Sequence, residues 1–375
     1  MGQLMPALPL KTIPADIVCA ADYERYARGH IDDAAWAYLQ GGAADEETLA
    51  ANSQAWRTLE LWPRVLADVR GGHTRCTLFG DTFSHPIILA PVATQRLFHA
   101  DGESASVLAA GVMGGLAVVS AHASITLEDI AKSAQGPLWF QLYWQGNREA
   151  TLDLVRRAEQ AGYRALVFTV DAPISGVRNR EQRAGFAVPA AAAPANVLPV
   201  ALPVLHENMS AVFDGFMAVA PVWDDIHWLV NQTSLPILLK GIVHPDDAIK
   251  SIDVGASGIV VSNHGGRVLD SAPSTLSALS GVAIAVNGVI PILVDGGIRR
   301  GTDIVKARAL GATAVMIGRP YAHALATAGA LGVAHLIRLL REELEISMAL
   351  VGCKTLDDIN GNILSANAIT RPYET

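Results

Sequence analysis

Residues 165–171 read ALVFTVD, a run of apolar side chains that ends in an aspartate. The apolar residues are consecutive rather than alternating with polar ones, which is typical of a parallel strand that is covered on both faces. Seven further runs share this pattern, and they are PIILAP (86–91), LAVVS (116–120), LWFQLY (138–143), ILLKG (237–241), GIVVSN (258–263), PILVDGG (291–297) and AVMIGRP (314–320). The sequence therefore contains eight candidate strands of one parallel sheet.

Helix-like segments separate these runs. Residues 148–162 (REATLDLVRRAEQAG) end in glycine, and residues 244–255 (HPDDAIKSIDVG) carry proline and aspartate at their start, which are ordinary helix stop and start signals. Strand and helix alternate eight times, and this pattern closes most naturally into a ring rather than an open sheet. The predicted fold class is therefore α/β, a (β/α)8 or TIM barrel.

Two segments do not fit the alternation. Residues 1–80 precede the barrel and contain three stretches with a helical pattern, ADIVCAADYERYARG, IDDAAWAYLQGG and DEETLAANSQAW. We predict an N-terminal helical segment, 1–80, packed on a barrel that spans 81–375 and includes C-terminal helices. Residues 182–222, after the fourth strand, are rich in alanine and proline and have no clear period. A long irregular loop of this kind is usually a functional lid or a mobile loop.

The composition argues against several functional classes. Charged residues make up 17% of the chain and the formal net charge is -8, so no basic surplus exists to neutralise nucleic-acid phosphates or an anionic membrane. The three cysteines lie far apart without a CxxC pair, which disfavours a disulfide framework or a zinc site. No apolar run reaches the roughly 18 residues of a membrane span. We therefore expect a cytoplasmic protein without nucleic-acid partners, membrane segments or a bound metal.

The segment SNHGGRVLD (262–270) carries the sharpest local signal. In a (β/α)8 barrel the active site forms at the carboxyl ends of the strands, and His264 and Arg267 directly follow the sixth one. Histidine exchanges protons near neutral pH, and arginine holds a carboxylate with two parallel hydrogen bonds. Asp171 ends the fourth strand and is placed to orient His264 in an Asp–His dyad. Arg178 is a candidate second ligand of a substrate carboxylate, with a surface salt bridge as the alternative.

The seventh and eighth strands end in DGGIRRG (295–301) and GRP (318–320). Glycines at these positions let backbone N–H groups approach an anion, and Arg299 and Arg319 add positive charge. Barrels often bind a phosphate at this place. The two motifs predict a phosphate-bearing ligand, with ordinary turn glycines as the alternative.

Lys240 ends the otherwise apolar fifth strand. A buried ammonium group needs a negative partner, because an unpaired charge in the interior is costly. Four roles fit the position: a Schiff-base lysine, a phosphate ligand, a cation beside a reduced flavin, or one half of an ion pair with a barrel carboxylate.

Together these motifs resemble those of the FMN-dependent 2-hydroxy-acid oxidases and dehydrogenases, which include glycolate oxidase, lactate oxidase, flavocytochrome b2 and mandelate dehydrogenase. SNHGGR and DGGIRRG in this order and spacing are highly specific to that family. The resemblance covers about residues 16–365, and its other carriers are YLQGGAADEETLAANSQAW (38–56), LAPVATQRLFHADGE (89–103), WFQLYW (139–144), TVDAP (169–173), LLKGI (238–242) and IGRP (317–320). It implies FMN-dependent oxidation of an L-2-hydroxy acid, lactate-like or mandelate-like, to the 2-oxo acid.

The resemblance also implies roles for individual residues. His264 would act as the base, oriented by Asp171, while Tyr143 would hydrogen-bond the substrate hydroxyl and Lys240 would stabilise the reduced flavin. The residues that would hold the substrate carboxylate are Tyr38, Arg178 and Arg267. The residues that would bind FMN are Pro91, Val92, Ala93, Ser120, Gln141, Thr169, Lys240, Ser262, Asp295, Gly296, Gly297, Arg299, Gly318 and Arg319.

Three positions depart from the family pattern. Val92 stands where some members have threonine, His122 where glycolate oxidase has tryptophan, and Leu39 replaces a second tyrosine. The last two differences weaken the expectation of glycolate as substrate. Oxygen, reduced to hydrogen peroxide, is the favoured electron acceptor; the alternatives are a quinone or other carrier, or a lactate 2-monooxygenase-type reaction. A different FMN barrel enzyme or a non-catalytic flavin binder would be a more distant alternative. The family implies a homotetramer.

Overall fold

The computed structural model describes residues 7–365, so the outer ends of both predicted segments, 1–6 and 366–375, lie outside the described residues. Three helices come first, α1 (Ala20–Ala27), α2 (Asp33–Gln40) and α3 (Glu47–Thr58). They coincide with the three stretches that were predicted to be helical. A two-stranded hairpin follows, formed by β1 (Cys76–Leu78) and β2 (Asp81–Phe83).

The hairpin corrects the prediction that residues 1–80 are helical as a unit. Cys76 donates its thiol to the carbonyl of Thr313, just before the last barrel strand, and the rings of Phe79 and Trp139 lie 5.5 Å apart. These contacts place the hairpin across the amino end of the barrel. Residues 76–78 alternate between buried and exposed positions, and Gly80 in the turn has a positive φ, so this stretch forms a hairpin rather than an irregular loop.

Eight parallel strands close into the predicted barrel, each paired with the next one along the chain and the last with the first. Nearly all of their residues are buried, as the unbroken apolar runs require. The strands are β3 (Ile87–Leu89), β4 (Leu116–Ser120), β5 (Leu138–Leu142), β6 (Leu166–Thr169), β7 (Ile237–Ile242), β8 (Gly258–Val261), β9 (Ile292–Val294) and β10 (Ala314–Ile317). All eight strand predictions, and the fold class with them, are confirmed.

Helices follow the strands, most of them on the outside of the barrel, whereas the short helix Asn179–Arg183 packs against α2 at the carboxyl ends of the strands. They are α4 (Gly102–Val112), α5 (Leu127–Ser133), α6 (Arg148–Gln160), α7 (Asn179–Arg183), α8 (Trp223–Val230), α9 (Pro245–Asp253), α10 (Thr275–Val286), α11 (Gly301–Ala309) and α12 (Arg319–Leu350). The side chain of Asn147 caps α6 by accepting from the backbone N–H of Ala150, and Pro245 opens α9. The helices predicted from residues 148–162 and 244–255 are therefore confirmed.

The long helix α12 is broken in its first third. Ala328 and Gly329 have non-helical backbone angles, and a Cβ on Gly329 would come within 2.8 Å of a His99 ring nitrogen. Within residues 7–365 this helix alone has the length and apolar composition of a membrane span, with a mean hydropathy of 1.4 over its most apolar stretch. Because 67% of that stretch is buried inside the protein, α12 packs as a core helix.

Two segments cover the carboxyl ends of the barrel strands. Residues 33–58, comprising α2, α3 and the link between them, form what we call the N-terminal cover. Residues 182–222, which we call the lid, belong to the connection between β6 and α8. As predicted, the lid is mostly irregular, with short helical turns at Ala190–Ala192, Ala211–Phe216 and Met217–Val219.

Candidate active site

A cavity of about 1180 Å³ opens at the carboxyl ends of the strands, between the N-terminal cover and the lid. Of the residues predicted to form the site, all line this cavity except Gln141 and Ser262. Those two are hydrogen-bonded to residues that do line it. The structure thus brings the whole predicted set together at one end of the barrel, where (β/α)8 enzymes place their chemistry.

His264 and Asp171 form a hydrogen-bonded pair on neighbouring parts of the cavity wall. The Nδ1 atom of His264 lies 2.9 Å from Oδ1 of Asp171, which leaves Nε2 free to face a ligand. The histidine has a φ of 58°, and its backbone N–H donates to the Ser262 hydroxyl. This left-handed turn, which follows β8 directly, aims the imidazole back across the barrel mouth towards the end of β6.

The carboxylate of Asp171 is ionised in its buried position. Burial alone would raise its pKa, but His264 and then Lys240 act in the opposite direction, and the pKa is below the ordinary value of 3.8. Its second oxygen, Oδ2, is buried and has no hydrogen-bond partner among the described residues. A carboxylate held in this state keeps the proton of His264 on Nδ1 and stabilises an imidazolium if the ring accepts another.

Lys240 is paired with a barrel carboxylate, which is one of the four roles that the sequence allowed. Its Nζ atom lies 3.0 Å from Oδ2 of Asp295 and donates to the Ser262 hydroxyl at 2.8 Å. Burial would lower the pKa of Lys240, but Asp295 and Asp171 outweigh it and the pKa is above 10.5. Lys240 is therefore a permanent cation on the cavity wall.

A string of hydrogen bonds runs across three adjacent strand ends. The Ser120 hydroxyl donates to Oε1 of Gln141, and Nε2 of Gln141 donates to the Thr169 hydroxyl. All three side chains are buried. Gln141 is thus a link between two cavity-lining hydroxyls, and its amide is fixed in one orientation by its neighbours.

Two arginines predicted to bind a carboxylate lie on the same side of the cavity. Arg267 donates from Nη1 to the carbonyls of Tyr38 and Gly41, and from Nη2 to Oε1 of Glu181 at 3.0 Å. Arg178 donates to the same oxygen of Glu181 at 3.3 Å, so the salt bridge considered as an alternative does form, but between side chains that are mostly buried in the cavity wall. Glu181 was not predicted as a site residue, and its one signal in the sequence is its spacing of three residues from Arg178.

Aromatic side chains flank the arginines. The ring of Tyr38 lies 5.0 Å from the guanidinium of Arg267 and stacks on Phe186. Tyr143 stacks on His122 with ring centroids 5.1 Å apart. Burial raises the pKa of the Tyr143 hydroxyl, so this group is a neutral hydrogen-bond donor at physiological pH. Burial also lowers the pKa of His122, which favours an uncharged ring at the cavity wall.

The motif at 295–301 is held against the N-terminal cover. A Cβ on Gly297 would come within 2.1 Å of the Asn52 carbonyl, and the indole N–H of Trp56 donates to the Gly296 carbonyl. The absence of side chains at Gly296 and Gly297 therefore allows α3 to pack directly against this turn. Gly318 differs, because a Cβ there would meet only Val92 and Ala90 side chains at 3.9 Å or more, and it opens directly onto the cavity at the start of α12.

Buried positive charge is concentrated at this end of the cavity. Arg299 donates to the Ile298 carbonyl, and within residues 7–365 no carboxylate lies at ion-pair distance from it. Arg319 donates to the carbonyls of Leu39, Gly41 and Gly265. Burial, together with the charges of Arg267 and Arg299, lowers the pKa of Arg319 to about 9. A bound phosphate would relieve this excess of positive charge, so the residues fit the phosphate end of FMN.

Comparisons with known proteins agree with this arrangement. The family model described as FMN-dependent dehydrogenase matches residues 27–366. An L-lactate oxidase of Alicycliphilus denitrificans is 47% identical over 360 residues, covering 95% of this chain and 99% of that protein. The peroxisomal (S)-2-hydroxy-acid oxidase GLO4 of Oryza sativa subsp. japonica is 42% identical over 343 residues, covering 90% and 93%.

The barrel also superposes on solved structures. Mandelate oxidase with benzoyl-formic acid matches at a TM-score of 0.85 and 42% identity, covering 93% of this chain and 98% of that chain. At 42% identity over nearly the full length of both chains, the likeness goes beyond a shared fold. The chain therefore belongs to the FMN-dependent dehydrogenase family, and the predicted FMN-dependent oxidation of 2-hydroxy acids is confirmed.

Proposed function

We propose that this protein oxidises an L-2-hydroxy acid to the 2-oxo acid, and that oxygen then accepts the electrons to give hydrogen peroxide. The observation that carries the proposal is one cavity wall that joins a hydrogen-bonded Asp171–His264 pair to two arginines. A base and a carboxylate-binding group are what this half-reaction needs from the protein. The oxidases to which the chain is similar support oxygen as the acceptor.

The proton chemistry falls to His264. Its free Nε2 accepts the proton of the substrate hydroxyl, while Nδ1 stays hydrogen-bonded to Asp171 at 2.9 Å. The adjacent carboxylate stabilises the imidazolium that results, so the barrier to removing the hydroxyl proton falls. Oxidation also breaks the Cα–H bond, so the substrate loses one hydrogen from its hydroxyl and one from Cα, and FMN, when bound, would supply the acceptor for the electron pair of that bond.

The carboxylate of the substrate is bound by Arg178 and Arg267, with help from the hydroxyl of Tyr38. The Nε atom of Arg178 is buried without a hydrogen-bond partner among the described residues, so one donor is available for a ligand. Tyr143, a neutral donor, holds the substrate oxygen that loses its proton. These contacts fix the hydroxyl in front of His264, because the carboxylate and hydroxyl sit on the same carbon.

The FMN site is formed by the strand ends and the positive end of the cavity. Lys240 offers a fixed cation, and the Ser120–Gln141–Thr169 string offers oriented polar groups. Asp295 Oδ1 is buried and has no partner among the described residues, as expected of a group that faces a polar ligand. Arg299, Gly318 and Arg319 would hold the phosphate of FMN.

The lid gives the outer part of the cavity an apolar wall. Its lining side chains include Val188, Leu198, Leu202, Phe216 and Met217. Burial against such a wall stabilises a methyl or aryl group on Cα of the substrate, whereas glycolate has only a hydrogen atom at that position and gains nothing from it. We therefore propose lactate-like or mandelate-like substrates.

Anaerobic titration tests the half-reaction. The purified protein should be yellow, and its flavin absorbance should bleach on addition of L-lactate or L-mandelate but not of their D-enantiomers. A colourless protein, or a flavin that stays oxidised with every L-2-hydroxy acid, would exclude the proposal. Admitting oxygen should then yield one peroxide per turnover; reoxidation that requires a quinone, or an oxidatively decarboxylated product, would identify the alternative acceptors.

Replacement of the base is the direct test of the mechanism. His264→Ala should slow flavin reduction about 10²–10⁴-fold, because general base catalysis contributes that much, while FMN stays bound. His206→Ala, at an exposed position of the lid, is the matched control and should reduce at the wild-type rate. Stopped-flow absorbance measures both, and near-normal reduction by the His264 variant would remove this residue from the mechanism.

The assembly and location of the protein complete the proposal. We propose a homotetramer in the cytoplasm, supported by the family and by an acidic composition without a basic surface for membranes. Light scattering coupled to size-exclusion chromatography measures the mass directly. A monomer of 39.6 kDa would contradict this assembly and leave the chemistry unaffected.

A further inference from the structure

The two substrate arginines share a carboxylate that belongs to the protein itself. Oε1 of Glu181 lies 3.3 Å from Nη1 of Arg178 and 3.0 Å from Nη2 of Arg267. All three side chains are between 14% and 19% exposed, so water screens the contacts only weakly. A single oxygen thus bridges two guanidinium groups inside the cavity wall.

The two guanidinium groups would otherwise repel each other. Burial lowers the pKa of Arg267, and the charge of Arg178 lowers it further, whereas Tyr38 and Glu181 act in the opposite direction. Two guanidinium groups that point at one ligand repel each other and move apart unless an opposite charge lies between them. If they separated, only one arginine would bind the substrate carboxylate. Glu181 supplies the opposing charge at the point between them.

Arg178 depends on Glu181 more than Arg267 does. Arg267 is also held by the carbonyls of Tyr38 and Gly41. The hydrogen bonds of the Arg178 side chain to the described residues run to Glu181 alone. Arg178 precedes α7, a helix of five residues with no buried side chain, so the backbone itself fixes the arginine only loosely.

Free donors remain on both arginines while Glu181 is in place. On Arg267 the contacts to the described residues use Nη1 and Nη2, and Nε is uncommitted. On Arg178 the buried Nε has no partner among residues 7–365. A ligand carboxylate therefore binds beside Glu181 and does not have to displace it.

We propose that Glu181 is a positioning residue that holds Arg178 and Arg267 in the convergent arrangement that receives the substrate carboxylate. The inference rests on the proposed function, since it deepens the account of the same site. It assigns to Glu181 an effect on ligand binding and KM rather than on the electron-transfer step, because a bound substrate meets the same base.

The test is a double-mutant cycle that combines Glu181→Gln with Arg178→Met in the FMN-loaded protein. Glutamine keeps the size and the oxygen of the side chain but removes its charge. Binding of oxalate, a small dianion that has no Cα–OH group to be oxidised, is measured by isothermal titration calorimetry. KM and kcat are measured with L-lactate. Glu207→Gln, an exposed glutamate of the lid, is the matched control for the change in net charge.

Glu181→Gln alone should weaken oxalate binding and raise KM about tenfold, with kcat within about twofold of wild type. In the Arg178→Met background the same change should alter oxalate binding less than twofold, because the arginine it positions is gone. Tighter oxalate binding by Glu181→Gln, or an equal loss in both backgrounds, would overturn the proposal. Failure of every L-2-hydroxy acid to reduce the flavin would instead overturn the proposed function, and the oxalate cycle would still report on Glu181.

Discussion

The N-terminal cover and the lid lie over the same cavity but are attached to the barrel in different ways. The N-terminal cover is fixed by hydrogen bonds between buried groups. The side chains of Asn52 and Asn263 exchange two hydrogen bonds of 2.8 and 2.9 Å, and the ammonium group of Lys306 donates to the Trp56 carbonyl. Arg267 and Arg319 add bonds to carbonyls between residues 38 and 41.

The side-chain hydrogen bonds that attach the lid to the barrel centre on one residue, Asn196. Asn196 accepts from the backbone N–H of Leu127 and donates to the Ile125 carbonyl, and Arg157 donates to the Asn196 carbonyl. Much of the remaining lid faces solvent, including large apolar side chains such as Val204 at 81% and Phe213 at 76% exposure. Segments with few buried contacts open at lower free energy than the body of a protein.

The difference separates two tasks. The site arginines Arg267 and Arg319 are held by carbonyls of the N-terminal cover, so this segment stabilises groups that bind the substrate or the phosphate. Groups that meet the substrate side chain come from a segment whose sequence can change at little cost to folding. Shape and selectivity are therefore located in the lid, and chemistry in the barrel and the N-terminal cover.

Among changes that compare the N-terminal cover with the lid, the largest effect is expected where the N-terminal cover and the site use the same side chain. Arg267→Lys replaces a planar group with several donors by a single ammonium, so it loses both the bonds to residues 38–41 and the fork for a carboxylate. We expect kcat/KM to fall about 10²-fold, equivalent to roughly 2.7 kcal/mol. Arg183→Lys, exposed on α7, should stay within about twofold in steady-state assays. Similar kinetics for the two variants would show that the cover and the site are independent.

The next comparison concerns stability alone. Asn52→Ala removes the acceptor of the Thr275 N–H and leaves Asn263 without its partner, so it should lower the free energy of unfolding by about 3 kcal/mol. Leu198→Ala, at an exposed position of the lid, should change it by less than about 0.5 kcal/mol. Urea unfolding followed by circular dichroism measures both values. Equal losses of unfolding free energy would contradict the distinction between the N-terminal cover and the lid.

Acid should weaken the N-terminal cover selectively. His323 is buried beneath it, and its Nε2 lies 2.9 Å from the side-chain nitrogen of Gln40, which fits a neutral ring that accepts this N–H. Burial, with the charges of Arg299 and Arg319, lowers the pKa of His323 from 6.5 to about 3. The folded state therefore binds this proton less readily than the unfolded chain does, and the stability present above pH 6.5 is lost as the pH falls towards 3.

A histidine variant isolates this contribution. Between pH 6 and pH 4, the unfolding free energy of His323→Gln should depend on pH less steeply than that of the wild type, by about one proton or roughly 1.4 kcal/mol per pH unit. His206→Gln, in the lid, should follow the wild-type profile. Parallel profiles for His323→Gln and the wild type would mean that the ring already takes up its proton in the folded protein.

The barrel and most of the site could be predicted because both depend on local sequence. Unbroken apolar runs fix the strands, and polar residues directly after them, such as His264 and Asp171, must meet at the carboxyl end of a closed sheet. The choice among four roles for Lys240 could not be made, since its partner Asp295 directly follows β9, 55 residues further along the chain. Only closure of the barrel brings these two charges together.

Other features were not predictable for the same reason. Nothing in the order NREQR shows that Glu181 faces a guanidinium 86 residues away, or that Asn52 is a partner of Asn263. The glycines at 296 and 297 were interpreted as an anion site, yet their most crowded contacts are with α3. The β1–β2 hairpin was missed because three-residue strands carry too little alternation to be recognised.

The bonds of the N-terminal cover have a consequence for biosynthesis. Residues 33–58 leave the ribosome early, whereas Asn263 and Arg319 follow 211 and 280 residues after their partners Asn52 and Leu39. The hydrogen bonds of α2 and α3 to these residues therefore cannot all form until almost the entire polypeptide has been translated. A nascent chain that stalls before β10 has an unclosed barrel and therefore an incomplete cofactor site. Only molecules whose translation is nearly finished can bind the cofactor.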